Sequence, residues 1–219
     1  MNLRHAPATL LLLLAACAPS KQDASALPGA TFTATDFAFD GPDTIAPGIT
    51  AIRLLNHGQQ QHHLILARLN QGKTLADLVA AFTADPNTDP PFVSWHGAAG
   101  GIAPGDSSGS IVELSQGHYA IMCFFADADG TMHFSKGMAK DLVVAGDPTT
   151  ALAPATEGRI ELVDFNYVAP ELTAGTHTYE IINHGTQAHE VQLIRLDPGA
   201  TAESFLASLA PAAAGPPPG

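Results

Sequence analysis

The segment Asn56-His57-Gly58-Gln59-Gln60-Gln61-His62 recurs as Asn183-His184-Gly185-Thr186-Gln187-Ala188-His189, displaced by 127 residues. The match runs on through Leu66, Arg68 and Leu69 onto Leu193, Arg195 and Leu196, so that 8 of 14 positions are identical between 56–69 and 183–196. Upstream, Asp36-Phe37-Ala38-Phe39 echoes Asp164-Phe165-Asn166-Tyr167, and Ala46-Pro47-Gly48 echoes Thr173-Ala174-Gly175. Solenoid repeats run about 20–50 residues. The larger spacing means a duplicated domain, so the chain is one unit and its copy.

Each unit reads as strands first. Thr31 to Phe39 alternates aromatic with small polar residues, the period of a half-buried strand. Ile49 to Leu55 and Leu64 to Leu69 follow, joined by the His-Gly-Gln turn. Thr74 to Phe82 reads as a short helix, with Thr74 as cap, Asp77 completing a capping box, and an apolar stripe of Leu75, Leu78, Val79 and Phe82. Residues 85–105, rich in Pro, Gly and small residues, read as a loop. Ser110 to Leu114, Tyr119 to Phe125 and Leu142 to Val144 are the closing strands. Many short strands with turn signals between them predict an all-β Greek-key sandwich with one short helix, followed by a partial second copy. The first domain spans 30–145, a linker 146–158, and an incomplete second unit 159–219. That unit follows the first through its helix, Thr201 to Leu209, and ends in Pro216-Pro217-Pro218-Gly219. Half a sandwich leaves a bare core face. A truncated sequence is the expected reason; pairing with the first domain or with another copy is the alternative.

Residues 1–17 read as an export signal: Arg4 is the basic start and Leu10 to Leu14 the apolar run. Leu14-Ala15-Ala16-Cys17 resembles the bacterial lipobox, which implies lipidation at Cys17 and a tether over 18–29. An ordinary secretory signal is the alternative. A spanning helix needs about 20 apolar residues, far more than this run offers. The expectation is a protein of the bacterial cell envelope, periplasmic or on the outer surface, held at the membrane by lipid alone.

Nine Lys plus Arg against 21 Asp plus Glu give a net charge of -12, which excludes the basic footprint of a nucleic-acid binder. The acidic surface suits docking to a basic redox partner protein. Two cysteines build no disulfide framework, and with Cys17 assigned to lipid, Cys123 is a lone thiol. In an oxidising compartment such a thiol is buried, paired between chains, or a reactive or metal-bound thiolate.

Cys123 ends an apolar strand, His133 lies ten residues later, and Met138 precedes another strand. With His62 these offer two imidazoles, a thiolate and a thioether, the donor set of blue-copper sites. The thiolate is a soft donor, imidazole suits both copper oxidation states, and a weak thioether leaves the geometry similar in both. On these residues the first unit resembles the plastocyanin- and azurin-type cupredoxins. That family takes one His from a mid-chain strand after an Asn-rich turn, as in Asn56-x5-His62, and Cys, His and Met from one late loop, as in Cys123, His133 and Met138. The resemblance covers about 30–145 and part of 159–210. It implies a copper cofactor, in a type 1 or atypical mononuclear site, bound by His62, Cys123, His133 and Met138. The family places two to four residues between Cys and His; here there are nine, so Phe124 to Met132, including Asp127-Ala128-Asp129-Gly130, must bulge or form a hairpin that returns His133 to the thiol, for which Asp-Gly is a good turn pair.

Each of these residues also has a plain reading. A free Cys in an apolar strand is often simply core, and so is a Met. His62 and His63 could form an exposed turn pair. Strand alternation points the two in opposite directions, and the repeat aligns His62 with His189 but His63 with Glu190. His62 is therefore the expected ligand, with His63 in reserve or supporting the site. His57 and His184 read as turn residues, His118 as exposed, and His96 has no assigned role. Asp127-x-Asp129-Gly130 lacks the glycine position and distal Glu of an EF-hand. The second unit has His189 but no Cys, and no Met after 138.

The resemblance implies electron transfer or copper handling. Two-domain copper oxidases and nitrite reductases carry His beside the Cys; here the flanks are Met122 and Phe124, and neither His-x-His nor Gly-x-Ser-x-Gly occurs, so no enzyme is expected. The alternative is a metal-free cupredoxin-like module of the cell envelope that binds protein or carbohydrate.

Overall fold

The computed structural model describes residues 27–209 except residue 87. Cys17 and the signal lie outside the described residues. The first unit comprises β1 (Gly29–Thr35), β2 (Ala38–Asp40), β3 (Thr44–Ile45), β4 (Gly48–Asn56), β5 (His62–Leu69), α1 (Leu75–Ala84), β6 (Val93–Ile102), β7 (Ser107–Leu114), β8 (Gly117–Met122) and β9 (Ala139–Val144). One sheet has the order β2-β1-β4-β7 and the other β3-β9-β8-β5-β6. The chain changes sheet from β4 to β5, from β6 to β7 and again from β7 to β8. Those crossings make a Greek-key sandwich, as the sequence predicts.

The two-residue period sorts each strand. Phe32 and Ala34 of β1 and Ile52 and Leu54 of β4 face Leu64 and Leu66 of β5 and Tyr119 and Ile121 of β8 across the core, all fully buried. The opposite parity of the second sheet, Ala67, Leu69, Ala120 and Met122, forms a separate apolar layer with Leu78 and Phe82 of α1. The helix starts as its sequence dictates. Thr74 Oγ1 accepts the Asp77 N–H at 3.2 Å, and the Thr74 N–H donates to the Asp77 carboxylate at 2.9 Å.

Three local expectations change. Residues 85–105 are not all loop: β6 pairs antiparallel with β5, and the three glycines in Val93–Ile102 hide its strand character because they interrupt the alternation. Thr31 to Phe39 is two strands, with a turn at Asp36 and Phe37 that doubles β2 back onto β1. β8 stops at Met122, and β9 begins at Ala139, three residues before the apolar run that marks it in sequence.

In the second unit, β10 (Gly158–Val163), β11 (Asn166–Val168) and β12 (Tyr179–Asn183) form a sheet of order β11-β10-β12, and α2 is Ala202–Leu209. β10 pairs parallel with β12 and antiparallel with β11, just as β1 pairs with β4 and β2. Residues 189–196, the counterpart of β5, carry no strand, because β5 is held by ladders to β6 and β8 that have no equivalent among the described residues of this unit. Ile181, at the position of Leu54, is 56% exposed, and Leu193, at the position of Leu66, is 74% exposed. The aligned pair gives a direct test. Leu54→Ala should cost about 2–5 kcal/mol in chemical denaturation, whereas Ile181→Ala should change stability by less than about 0.5 kcal/mol.

Candidate metal centre

His62 opens β5 and shares the inward parity of Leu64 and Leu66. Cys123 follows β8 and shares that of Tyr119 and Ile121. Both therefore face the sandwich interior at the same end. His133 is returned by a hairpin: Ala126 bridges Met132, the Asp127 N–H donates to Thr131 O at 3.0 Å, and the His133 N–H donates to Phe125 O at 2.7 Å. The nine-residue spacing thus closes as expected. A one-turn 3-10 helix, His133–Lys136, ends at Gly137, whose φ of 105° is open to glycine and strained for other residues. That turn lets the Met138 N–H reach His133 O at 3.0 Å, while Met138 O accepts the Cys123 N–H at 3.2 Å.

The result is a compact donor set. His62 Nδ1 lies 3.9 Å and His133 Nδ1 3.5 Å from Cys123 Sγ. The donor atoms of the three residues lie within 4.8 Å of one another. A metal about 2.3 Å from sulfur and about 2.0 Å from nitrogen separates S from N by about 3.5–3.7 Å between tetrahedral and trigonal angles. The His133 spacing matches this and the His62 spacing is slightly long, so a small shift of the His62 ring brings the group onto one metal ion, and two imidazoles with a thiolate fit copper. Met138 is fully buried in the same core cluster as Cys123. Phe37 packs edge-on to His133 at 4.8 Å, so the site has an apolar wall.

Burial pushes the Cys123 thiol up, while the backbone N–H groups of His63 and Phe125 donate to its sulfur and pull the other way. A bound cation would complete the stabilisation of the thiolate. Burial, and then the neighbouring His62, lower the pKa of His133, which favours the neutral ring that a metal needs.

His63 does not join the group. It points to the other side of β5, as the alternation requires, stacks on Phe125 at 4.4 Å, and accepts the Phe124 N–H on Nε2 at 2.6 Å. It braces the two residues that follow the thiol. His57 is an exposed turn residue whose N–H donates to Ala34 O, and His118 is exposed. His96 packs against Tyr119 and belongs to no donor group.

The turn that places His62 is built by Asn56. Its side chain is fully buried, donates to Gln60 O at 2.8 Å and Ile102 O at 3.0 Å, and accepts the Gly58 N–H at 2.9 Å. A Cβ on Gly58 would collide with the Asp36 carboxylate and stand 2.7 Å from His62 Nε2. Sequence reasoning used the Asn-x-Gly repeat but passed over Asp36, although Asp164 preserves it in the copy. The second unit rebuilds the same turn: Asn183 bonds the Gly185 N–H at 2.8 Å, and His189 Nε2 meets Asp164 at 2.9 Å.

No family model matches the sequence, and no curated protein matches it. Among solved structures, dithionite-reduced auracyanin from Roseiflexus castenholzii is 19% identical, with 54% of this chain and 97% of that chain covered and a TM-score of 0.39. Auracyanin A, a blue copper protein from Chloroflexus aurantiacus, is 20% identical, with 53% and 98% covered and a TM-score of 0.37. A multicopper oxidase from Aquifex aeolicus is 11% identical, with 57% and 30% covered and a TM-score of 0.33.

His63 gives the metal-free protein a pH signature. Burial first, then the nearby His133 and His62, lower its pKa from 6.5 to about 4. The unfolded chain then binds more protons than the folded one between these values, so stability is complete above the unfolded pKa and falls as pH drops towards 4. The loss should be on the order of 3 kcal/mol, and His63→Gln should flatten that part of a pH series of denaturation curves.

Proposed function

We propose that this protein is a copper-binding electron carrier or copper handler of the bacterial cell envelope, exported and anchored by lipid at Cys17. The observation that carries the reading is the convergence of two imidazole Nδ1 atoms on one buried thiol, from strands and a hairpin far apart in sequence. In this reading His62, His133, Cys123 and Met138 would hold the copper. Copper, when bound, supplies a one-electron couple. The chain supplies the rest. β5 and β8 fix His62 and Cys123 on a rigid sandwich, so little rearranges between oxidation states. The His63 and Phe125 N–H groups hold the sulfur. Phe37 limits solvent at His133.

A carrier is favoured over an enzyme because Cys123 is flanked by Met122 and Phe124, with no histidine to pass electrons to a second centre. The lipid anchor rests on the tetrapeptide before Cys17. Among the described residues no helix is long and apolar enough to cross a membrane. The acidic net charge supports docking to a basic redox partner.

Copper titration of the chain lacking its signal, with metal analysis and visible spectroscopy, tests the reading. One copper per chain is expected, lost in Cys123→Ser and weakened by tenfold or more in His62→Ala and His133→Ala. An intense visible band marks type 1 geometry; copper(I) bound without colour marks handling. Uptake that the Cys123→Ser variant retains in full would sink the assignment and favour a metal-free binding module.

A further inference from the structure

The outer nitrogens of both site histidines are met by oxygen acceptors. His62 Nε2 lies 2.6 Å from Asp36 Oδ1. His133 Nε2 lies 3.1 Å from Gln60 Oε1 and 3.1 Å from Asp127 Oδ1. An imidazole that ligates through Nδ1 carries its proton on Nε2, so the acceptors Asp36 at His62 and Gln60 at His133 select the tautomer whose free lone pair faces Cys123 Sγ, while Asp127 stands beside the His133 ring as a charge. We infer that Asp36 and Asp127 are positioning residues for the copper site: acting through His62 and His133, Asp36 by its hydrogen bond and charge and Asp127 by its charge, they bias the site towards the oxidised ion, holding its reduction potential low. This rests on the copper reading above.

Both carboxylates are themselves held. Asp36 sits at the turn between β1 and β2 and accepts the Gln59 N–H at 2.8 Å and the Gln60 N–H at 3.4 Å. Gly58 leaves room for the carboxylate to reach the ring. Asp127 is delivered by the long segment between Cys123 and His133. The Gly130 N–H closes that segment onto Asp127 O at 2.9 Å, and Lys136 pairs with Asp127 Oδ2. Asp127 Oδ1 is buried without an aligned hydrogen bond of its own, facing the His133 ring. The nine-residue spacing thus has a chemical consequence: it brings a negative charge to a ligand that a shorter loop would leave without one. Negative charge behind an imidazole makes it a stronger donor and stabilises the higher-charged ion more than the lower.

The second unit supplies the control. Asp164 meets His189 Nε2 at 2.9 Å in the same turn, yet no thiol stands opposite. Reduction potentials are measured on the copper-loaded protein for the parent chain, Asp36→Asn, Asp127→Asn and Asp164→Asn. Asparagine keeps the acceptor oxygen and the size, so the fold is retained while the charge is lost. Asp36→Asn and Asp127→Asn should each raise the potential, the copper(II)-to-copper(I) affinity ratio falling about tenfold, which is about 59 mV for a one-electron couple. Asp164→Asn should leave it unchanged. In the metal-free parent, ¹⁵N NMR should show the proton on Nε2 of both His62 and His133. Unmoved potentials in the two site variants, an equal shift in Asp164→Asn, or Nδ1-protonated rings would overturn the inference while the copper reading stands. A parent chain that takes up no copper would overturn both.

Discussion

A β-strand turns successive side chains to opposite faces, and β5 and β8 run antiparallel side by side, paired from Ile65 and Met122 to Leu69 and His118. The parity that buries Leu64, Leu66, Tyr119 and Ile121 continues to the end of each strand, where it delivers His62 and Cys123. The packing of the core thus aims the donors. A slip of one residue in this register would expose the core and point the thiol into the layer under α1, so the hydrophobic energy that fixes the register also fixes the site. His63, one residue from His62, shows the other outcome: it faces the outer side and becomes a brace.

Local chemistry completes what parity begins. Asn56 uses its side chain as a substitute for backbone, tying the Gly58 N–H, Gln60 O and Ile102 O together at the end of β4. A buried amide with three partners is costly to disturb, since each partner would be left unsatisfied. The same arrangement in Asn183 is exposed, with no opposite sheet over it among the described residues. The comparison separates two layers of information: the turn folds from its own residues, whereas its burial and its role at a thiol require β6, β8 and the hairpin before His133.

Much of this was legible beforehand. The capping box at Thr74 and Asp77, the alternation of β1, and the return of His133 by a bulge or hairpin all follow from local rules. β6 was not, because Gly97, Gly100 and Gly101 erase the alternation and only the ladder to β5 makes the segment a strand. Nor was Asp36 as a partner of His62, which depends on β1 and β4 lying parallel so that residue 36 ends beside the turn after residue 56. Asp127 was read as part of the segment that returns His133 but not as a partner of its ring, since its closeness to His133 Nε2 belongs to the folded hairpin.

By itself the sequence determined the duplication, the strand periodicity, the lone thiol and the identity of the four candidate donors, because these depend on residue type and on spacing along one chain. The tertiary structure decided which imidazole nitrogens face the sulfur, which histidine is a brace, and which carboxylates stand behind the candidate donors. Those are relations between segments up to about 70 residues apart, such as His133 with Gln60. No local propensity encodes them; they arise when the core fixes the register of β5 against β8.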